Sequence, residues 1–274
     1  MGVITGSWDL VIAPAKFDTN WCCQLEFDRF SISSSIGASL SMGRDIRIKV
    51  CGVTTVEDAR MVAGMGVDYI GVNLVEASPR RLSLEQARPI CEQSTLPVVA
   101  LFLNWEAHQI QRVTEALQPA AIQLVGEESL SLVETLKRTV DCELWKSVHL
   151  PPQGQGNVSI TAYRERVNSL INAGIDAIIL DTVVGSSPED RRYGGTGQVS
   201  NWATASRLVE VISVRTFLAG GVNAENVRQA IELVHPYGVD LSSGVEISPG
   251  KKDPEKLRRL VLAARGAVPD NDAR

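Results

Sequence analysis

Short apolar segments recur along this chain from residue 46 onward, and most are followed by a stretch with helical periodicity. The eight strand candidates are Ile46–Val50, Tyr69–Leu74, Val98–Leu103, Ala120–Leu124, Leu144–Val148, Ala177–Leu180, Thr216–Ala219 and Val239–Leu241. Eight repeats of strand and helix are typical of an α/β protein whose parallel strands close into a (β/α)8 barrel, the TIM barrel. The sequence therefore predicts one barrel domain over residues 45–266.

Composition is compatible with this fold and narrows the class of protein. The 274 residues, 44% of them hydrophobic, suffice to bury one large core. A net charge of -5 and a pI near 5.4 argue against a general nucleic-acid binder. No apolar stretch approaches the roughly 20 residues that span a bilayer. The N-terminus also lacks the basic and apolar regions of a secretory signal, so we expect a cytoplasmic protein without membrane or nucleic-acid partners.

The two ends of the chain do not continue the barrel pattern. Residues 1–44 contain a Ser-rich stretch at Ser31–Ser35 and no sustained hydrophobic period. They predict a poorly ordered N-terminal extension. Because Met42 lies just before the first strand candidate, an upstream choice of start site is the alternative explanation of this segment. Residues 267–274 are predicted to form a C-terminal tail.

Cysteine and histidine spacing gives no metal site. The cysteines are Cys22, Cys23, Cys51, Cys91 and Cys142. They are odd in number and fit no zinc spacing, which favours reduced thiols. The histidines are His108, His149 and His235. They fit neither a catalytic triad nor a metal spacing, so we assign them no chemistry.

In barrels of this kind the active site lies at the C-terminal ends of the strands, where Cys51 and Asp181 are found. Strand side chains alternate, so a Cys51 that faces the barrel mouth places Lys49 in the interior. A buried ammonium requires a carboxylate partner, and Asp240 on the last strand is the candidate. Two interpretations stay open: purely structural pairing, or a Lys49 that also favours a Cys51 thiolate.

Three strand ends are rich in glycine and small residues. They are Tyr193–Gly197, Leu218–Gly221 and Asp240–Glu246, the last followed by Pro249–Asp253. Free backbone N–H groups at such ends bind phosphate, and barrels often hold phosphate after the last two strands. The predicted phosphate ligands are the backbone groups of Gly220, Gly221, Ser243 and Gly244, closed by the Gly194–Gly197 loop that contains Gly195.

Seven short motifs follow one another in a specific order and spacing. They are Lys49-Val-Cys-Gly52, Ser78-Pro-Arg80, Gln123-Leu-x-Gly126, Leu180-Asp-Thr182, Gly194-Gly-Thr-Gly197, Ala219-Gly-Gly221 with Glu225-Asn-Val227, and Asp240-x-Ser-Ser-Gly-Val-Glu246. A lone Gly-Gly-x-Gly is a weak signal, but the joint order resembles the phosphoribosylanthranilate isomerase family. The resemblance covers residues 46 to about 265.

The resemblance implies the third step of tryptophan biosynthesis, an Amadori rearrangement of N-(5-phosphoribosyl)anthranilate that uses neither metal nor cofactor. Cys51 stands at the family's general-base position and Asp181 at its general-acid position. Arg80 resembles the arginine that meets the anthranilate carboxylate. The required thiolate and protonated carboxyl are opposite to the ordinary states at neutral pH, so we expect a bell-shaped pH dependence of turnover. We also expect a monomer or a weak homodimer.

The chain departs from the family pattern at three places, of which Asn201, where the family commonly has Asp, is expected to lie outside the chemistry. Val125 stands where the family usually has His, which removes a polar group from the wall of the site, and the loop 183–192 is longer than usual. Two alternatives therefore stay open. One is a related sugar-phosphate isomerase of histidine synthesis, against which Cys51 argues because that enzyme has a two-aspartate site. The other is a non-catalytic phosphate-binding barrel, for which Val125 is the only indication.

Overall fold

A computed structural model describes residues 46–154, 159–184, 192–193 and 199–266. The predictions for residues 1–44, for the Gly194–Gly197 loop and for the tail 267–274 lie outside the described residues. So does the middle of the long loop, residues 185–191.

Eight parallel strands close into a barrel, as the repeat pattern predicts. In chain order the strands of the described residues are β1 (Arg47–Cys51), β2 (Tyr69–Asn73), β3 (Val98–Phe102), β4 (Ala121–Leu124), β5 (Glu143–Leu150), β6 (Ala177–Val184), β7 (Arg192–Tyr193), β8 (Arg215–Leu218), β9 (Gly238–Leu241), β10 (Glu246–Ser248) and β11 (Lys251–Lys252). The eight barrel strands are β1 to β6, β8 and β9, whereas β7, β10 and β11 take part in antiparallel hairpins. The barrel order is β5-β4-β3-β2-β1-β9-β8-β6, and pairing of β5 with β6 closes it. The predicted fold class is confirmed.

Helices cover the outside of the barrel. They are α1 (Val56–Ala63), α2 (Leu84–Gln93), α3 (Ala107–Leu117), α4 (Leu130–Thr139), α5 (Ile160–Asn172), α6 (Trp202–Val209), α7 (Val227–Val234) and α8 (Pro254–Arg265). Side chains cap the first turns of α1 and α2: the Thr55 hydroxyl accepts from Asp58 N at 3.0 Å, and Ser83 forms a capping box with Gln86. None of the helices in the described ranges is both long and apolar enough to cross a bilayer.

Two strands run further than their apolar segments predict. β5 continues to Leu150 because its pairing with β6 extends to Leu150 opposite Thr182. β6 continues to Val184 because its end pairs with β7 in an antiparallel hairpin. The hairpin of β10 and β11, which follows the last barrel strand, was not predicted.

The barrel interior is packed rather than hollow. The rings of Trp145 and Phe217 stack with centroids 5.0 Å apart, and Tyr69 contacts both edge-on. Ser147 lies two residues beyond Trp145, so the inward face of β5 becomes polar towards the C-terminal end of the strand. An aromatic layer therefore closes the barrel beneath the polar residues of the mouth.

Candidate active site

Cys51 ends β1 and is 8% exposed in the barrel mouth. Gly71 on β2 lies opposite Cys51, and a Cβ at Gly71 would come within 3.0 Å of the Cys51 Sγ. A glycine at this position therefore makes room for the thiol. Burial raises the pKa of Cys51, although the ammonium of Lys49 acts to lower it. The thiol form thus dominates at neutral pH, and Lys49 only offsets part of the effect of burial.

The ion pair predicted from strand alternation is present inside the barrel. The Nζ of the fully buried Lys49 donates to Asp240 Oδ2 at 2.8 Å and to Gln123 Oε1 at 2.9 Å. Gln123 extends this hydrogen-bond network to β5, since its Nε2 donates to Ser147 Oγ at 3.0 Å. Burial by itself would lower the pKa of Lys49, but Asp240 and Cys51 outweigh it and raise that pKa. The result is a fixed cation between Asp240 of β9 and Gln123 of β4, beside the thiol.

Asp181 lies on β6, level with His149 on β5, and is partly exposed. Burial raises the pKa of its carboxyl from 3.8 to about 7. The N–H of Thr182 donates to Oδ1 at 2.7 Å and acts in the opposite direction, while Asp240 adds to the rise. Asp181 is therefore protonated in a large fraction of molecules at neutral pH, which suits a proton donor.

Arg80 comes from the loop between β2 and α2 and lies beside the end of β1. Its Nε and Nη2 donate to the carboxylate of Glu246 at 2.9 Å and 2.6 Å. Glu246 also accepts from Lys252 Nζ at 2.7 Å, and Lys252 Nζ donates to the carbonyl oxygen of Cys51 at 2.5 Å. Sequence reasoning found Arg80 but missed both of its neighbours in this network.

The predicted phosphate ligands come from the ends of β8 and β9. Gly220 and Gly221 have φ of 80° and 68°, in the left-handed region that favours glycine. A Cβ at Gly220 would lie 2.1 Å from Thr182 Oγ1 and one at Gly244 2.2 Å from Val222 O, so neither position accepts a side chain. Within the described part of the chain, the N–H groups of Gly220, Gly221, Ser243 and Gly244 donate to no protein acceptor. They form a candidate anion cradle, and the predicted contribution of Gly195 lies outside the described residues.

His149 is a residue of the site that sequence reasoning missed. It follows Ser147 on the inward face of β5, is 7% exposed, and hydrogen-bonds through Nε2 to the Val125 carbonyl oxygen at 2.7 Å. A carbonyl can only accept, so Nε2 carries the proton. Burial lowers the pKa of His149 to about 4, which makes the ring neutral. Alternation along β5 was the signal available, as it was for Lys49 on β1. An imidazole therefore stands beside Val125, although it comes from the neighbouring strand.

The described ranges contain no cluster of three or more His, Cys, Asp or Glu side chains placed to hold a metal ion.

Comparison with known proteins assigns the family. The sequence profile of N-(5'-phosphoribosyl)anthranilate (PRA) isomerase matches residues 48–263. The N-(5'-phosphoribosyl)anthranilate isomerase of Pelobacter propionicus is 35% identical over 222 residues, which are 80% of this chain and 96% of that protein. The chain belongs to the phosphoribosylanthranilate isomerase family.

Solved phosphoribosylanthranilate isomerases share the fold. Monomers of the dimeric isomerase from Thermotoga maritima give a TM-score of 0.65 at 31% identity, covering 81% of this chain and 99% of that one. An isomerase solved with reduced 1-(o-carboxyphenylamino)-1-deoxyribulose 5-phosphate gives 0.65 at 30% identity, with the same coverage of 81% and 99%. The chain is therefore an isomerase of tryptophan biosynthesis built on a TIM barrel.

Proposed function

We propose that Cys51 is the general base and Asp181 the general acid of the isomerase reaction of this chain. The reaction converts N-(5-phosphoribosyl)anthranilate to 1-(2-carboxyphenylamino)-1-deoxyribulose 5-phosphate. One observation carries the proposal. The Asp181 carboxyl, with a pKa of about 7, lies in the same barrel mouth as the buried Cys51 thiol and the Lys49 ammonium. Groups with perturbed pKa values in such a mouth are typical of acid–base sites.

The first step is ring opening. The Asp181 carboxyl gives its proton to the furanose ring oxygen while the bond between that oxygen and C1 breaks. The lone pair of the anthranilate nitrogen forms the C1–N double bond, so the product is a protonated Schiff base with an open sugar. A carboxyl with a pKa of about 7 keeps the required proton at neutral pH, whereas an ordinary Asp does not.

The second step is proton abstraction. The Cys51 thiolate takes the C2 proton, and the bonding electrons move towards nitrogen to give an enolamine. The enolamine then gains a proton at C1 and loses its hydroxyl proton, which leaves the ketone at C2. Lys49, Lys252 and Arg80 all act to lower the pKa of Cys51, although burial outweighs them. The reactive form of the enzyme therefore carries a single proton on the pair, with Asp181 protonated and Cys51 as the thiolate.

The two ends of the substrate are anionic, and the site offers a group for each. In this proposal the N–H groups of Gly220, Gly221, Ser243 and Gly244 bind the phosphate at the ends of β8 and β9, supported by the left-handed φ of Gly220 and Gly221 and the short turn at Ser243–Val245. The Arg80 guanidinium is suited to the anthranilate carboxylate because a planar fork matches a carboxylate. A relative binds the reduced product, which carries both anions.

Turnover of freshly made phosphoribosylanthranilate, followed by the loss of its fluorescence, tests the assignment. Wild type should consume the substrate, and Cys51→Ser and Asp181→Asn should each lower kcat by about 10²-fold or more, as expected for loss of a general acid or base. Cys91→Ser is the matched control, since Cys91 is a partly buried thiol on α2, outside the barrel. Wild-type turnover by Cys51→Ser or Asp181→Asn would contradict the roles, and an inactive wild type would favour a non-catalytic barrel.

The domain and assembly predictions complete the proposal. Residues 45–266 form the catalytic domain, with residues 1–44 as an extension and 267–274 as a tail. The partner is a small phosphorylated molecule, the location is the cytoplasm, and the chain is a monomer or a weak homodimer.

A further inference from the structure

Glu246 is a buried carboxylate at the centre of a charged network. Its Oε1 accepts from Arg80 Nε at 2.9 Å, from Lys252 Nζ at 2.7 Å and from Gly250 N at 3.2 Å. Its Oε2 accepts from Arg80 Nη2 at 2.6 Å. Burial alone would raise the pKa of Glu246, but Arg80 and Lys252 outweigh it and lower that pKa. Glu246 is therefore ionised and held by two cations and one backbone amide.

The network links two parts of the site. Glu246 and Lys252 face each other across the hairpin of β10 and β11. Lys252 also binds the carbonyl oxygen of Cys51, the residue that ends β1. Arg80 crosses the backbone immediately after Cys51, where a Cβ at Gly52 would come within 2.4 Å of the Arg80 Cδ. One carboxylate thus connects Arg80 with the strand end that carries the thiol.

The hydrogen-bond geometry leaves one edge of Arg80 for another anion. A guanidinium has five N–H donors, and Glu246 engages those of Nε and one of Nη2. The Nη1 donors contact no acceptor among the described residues, and 9% of the side chain is exposed. The edge formed by Nη1 and Nη2 is therefore the one directed away from Glu246, and a fork of this kind accepts a carboxylate in a bidentate way.

We propose that Glu246 is a positioning residue of the isomerase, which holds Arg80 by one edge so that its other edge meets the carboxylate of the substrate. Lys252 fixes the position of Glu246 relative to the end of β1. The carboxylate-binding edge of Arg80 and Cys51 therefore keep a fixed position relative to each other. The inference rests on the proposed function, because it deepens the role given there to Arg80.

A purely structural ion pair is the competing explanation. Buried pairs are costly to break, and removing one partner destabilises a protein whether or not the pair touches a substrate. A structural role predicts losses that do not depend on which substrate group is present. A positioning role predicts losses that require both the Arg80 guanidinium and the carboxylate of the ligand. The two explanations therefore differ in a measurable way.

A double-mutant cycle on Glu246→Gln and Arg80→Met separates them, with Kd measured for two probes. One probe is reduced 1-(o-carboxyphenylamino)-1-deoxyribulose 5-phosphate, and the other is the same molecule without the carboxylate. Glu246→Gln should weaken the first probe about tenfold or more and leave the second within about twofold of wild type. In the Arg80→Met background, Glu246→Gln should have almost no further effect on either probe.

Glu128→Gln is the matched control. Glu128 is a buried carboxylate that pairs with Lys146 at 3.0 Å, as Glu246 pairs with Lys252, but it lies after β4 and away from Arg80. Glu128→Gln should affect both probes alike. If Glu246→Gln does not fold, as judged by circular dichroism, Glu246→Asp replaces it, since the shorter carboxylate keeps the charge but misplaces Arg80.

Equal weakening of both probes by Glu246→Gln, or losses that add in the double variant, would overturn the inference. The proposed function is tested separately by wild-type turnover. An active wild type with additive losses rejects only the positioning role of Glu246, whereas an inactive wild type rejects the proposed function itself.

Discussion

Burial acts on Cys51 and Asp181 in the same direction, although their proposed roles need opposite protonation states. Burial raises the pKa of both groups, and for Asp181 the value reaches about 7. The carboxyl thereby gains its proton, while the thiol is moved away from the thiolate. The cation of Lys49 is the counterweight on the side of the thiol. Cys51 can act as a base near neutral pH only if it shares one proton with Asp181. In the reactive fraction of molecules that proton is on Asp181 and Cys51 is a thiolate.

Asp181→Asn should stabilise the folded protein at alkaline pH. The folded pKa of about 7 lies above the reference value of 3.8, so the folded state binds more protons and stability falls as pH rises between these values. The variant should gain up to about 4 kcal/mol in unfolding free energy at about pH 8.5. Urea unfolding at that pH measures the gain, which should vanish near pH 4. An equal gain at both pH values would show that the charge is not responsible.

Alternation along single strands explains which residues sequence reasoning could place. Lys49 and Asp240 were paired correctly because two neighbouring strands fix the direction of each side chain. The same rule applied to β5 would have placed His149 on the inward face. It was missed because only triad and metal spacings were considered for the histidines. The contact between Arg80 and Glu246 spans 166 residues and depends on loop and hairpin conformations that no local pattern encodes.

At the scale of elements, the apolar strands were predictable and the polar ones were not. Each barrel strand contains a buried apolar run, which sets its position to within a few residues. The hairpin strands β10 and β11 read Glu-Ile-Ser and Lys-Lys and carry no such run. Their inward residues, Glu246 and Lys252, are charged because they bind Arg80 and the end of β1 rather than an apolar core.

The fit between β1 and β2 gives a test at this scale. Gly71→Ala should lower kcat by about tenfold or more with a smaller change in stability, because its methyl group would lie 3.0 Å from the Cys51 Sγ and displace the thiol. Gly64→Ala is the control, since Gly64 has a helical φ of -70° and its nearest neighbour would be 3.6 Å away. Fluorescence assays of both variants decide the matter, and wild-type turnover by Gly71→Ala would show that the thiol position is not critical.

At the scale of the whole molecule, counting repeats was sufficient for the fold. The barrel closes through the pairing of β5 with β6, which extends over Trp145–Leu150. Closure brings the ends of β1, β6 and β9 to one mouth, so Cys51, Asp181 and Asp240 interact electrostatically although they are far apart in sequence. The rule that chemistry lies at the C-terminal ends of strands selected Cys51 and Asp181 as candidates from the sequence alone, and the need for a partner of the buried Lys49 selected Asp240. The conformations of the loops and the ion pairs between them could be found only from the structure.

The pH dependence of kcat/KM tests the central claim most directly, because it reports the acid and base of the free enzyme. Wild type should give a bell whose acidic limb falls near the Asp181 pKa of about 7 and whose alkaline limb belongs to Cys51. In Asp181→Asn the residual rate should rise to a plateau at high pH, and in Cys51→Ser it should be flat in acid and fall above about pH 7. Titration of the substrate affects all three pH profiles equally, so differences between the profiles arise from groups of the enzyme. Profiles of the two variants that keep both limbs of the wild-type bell would contradict the assignment of Cys51 and Asp181.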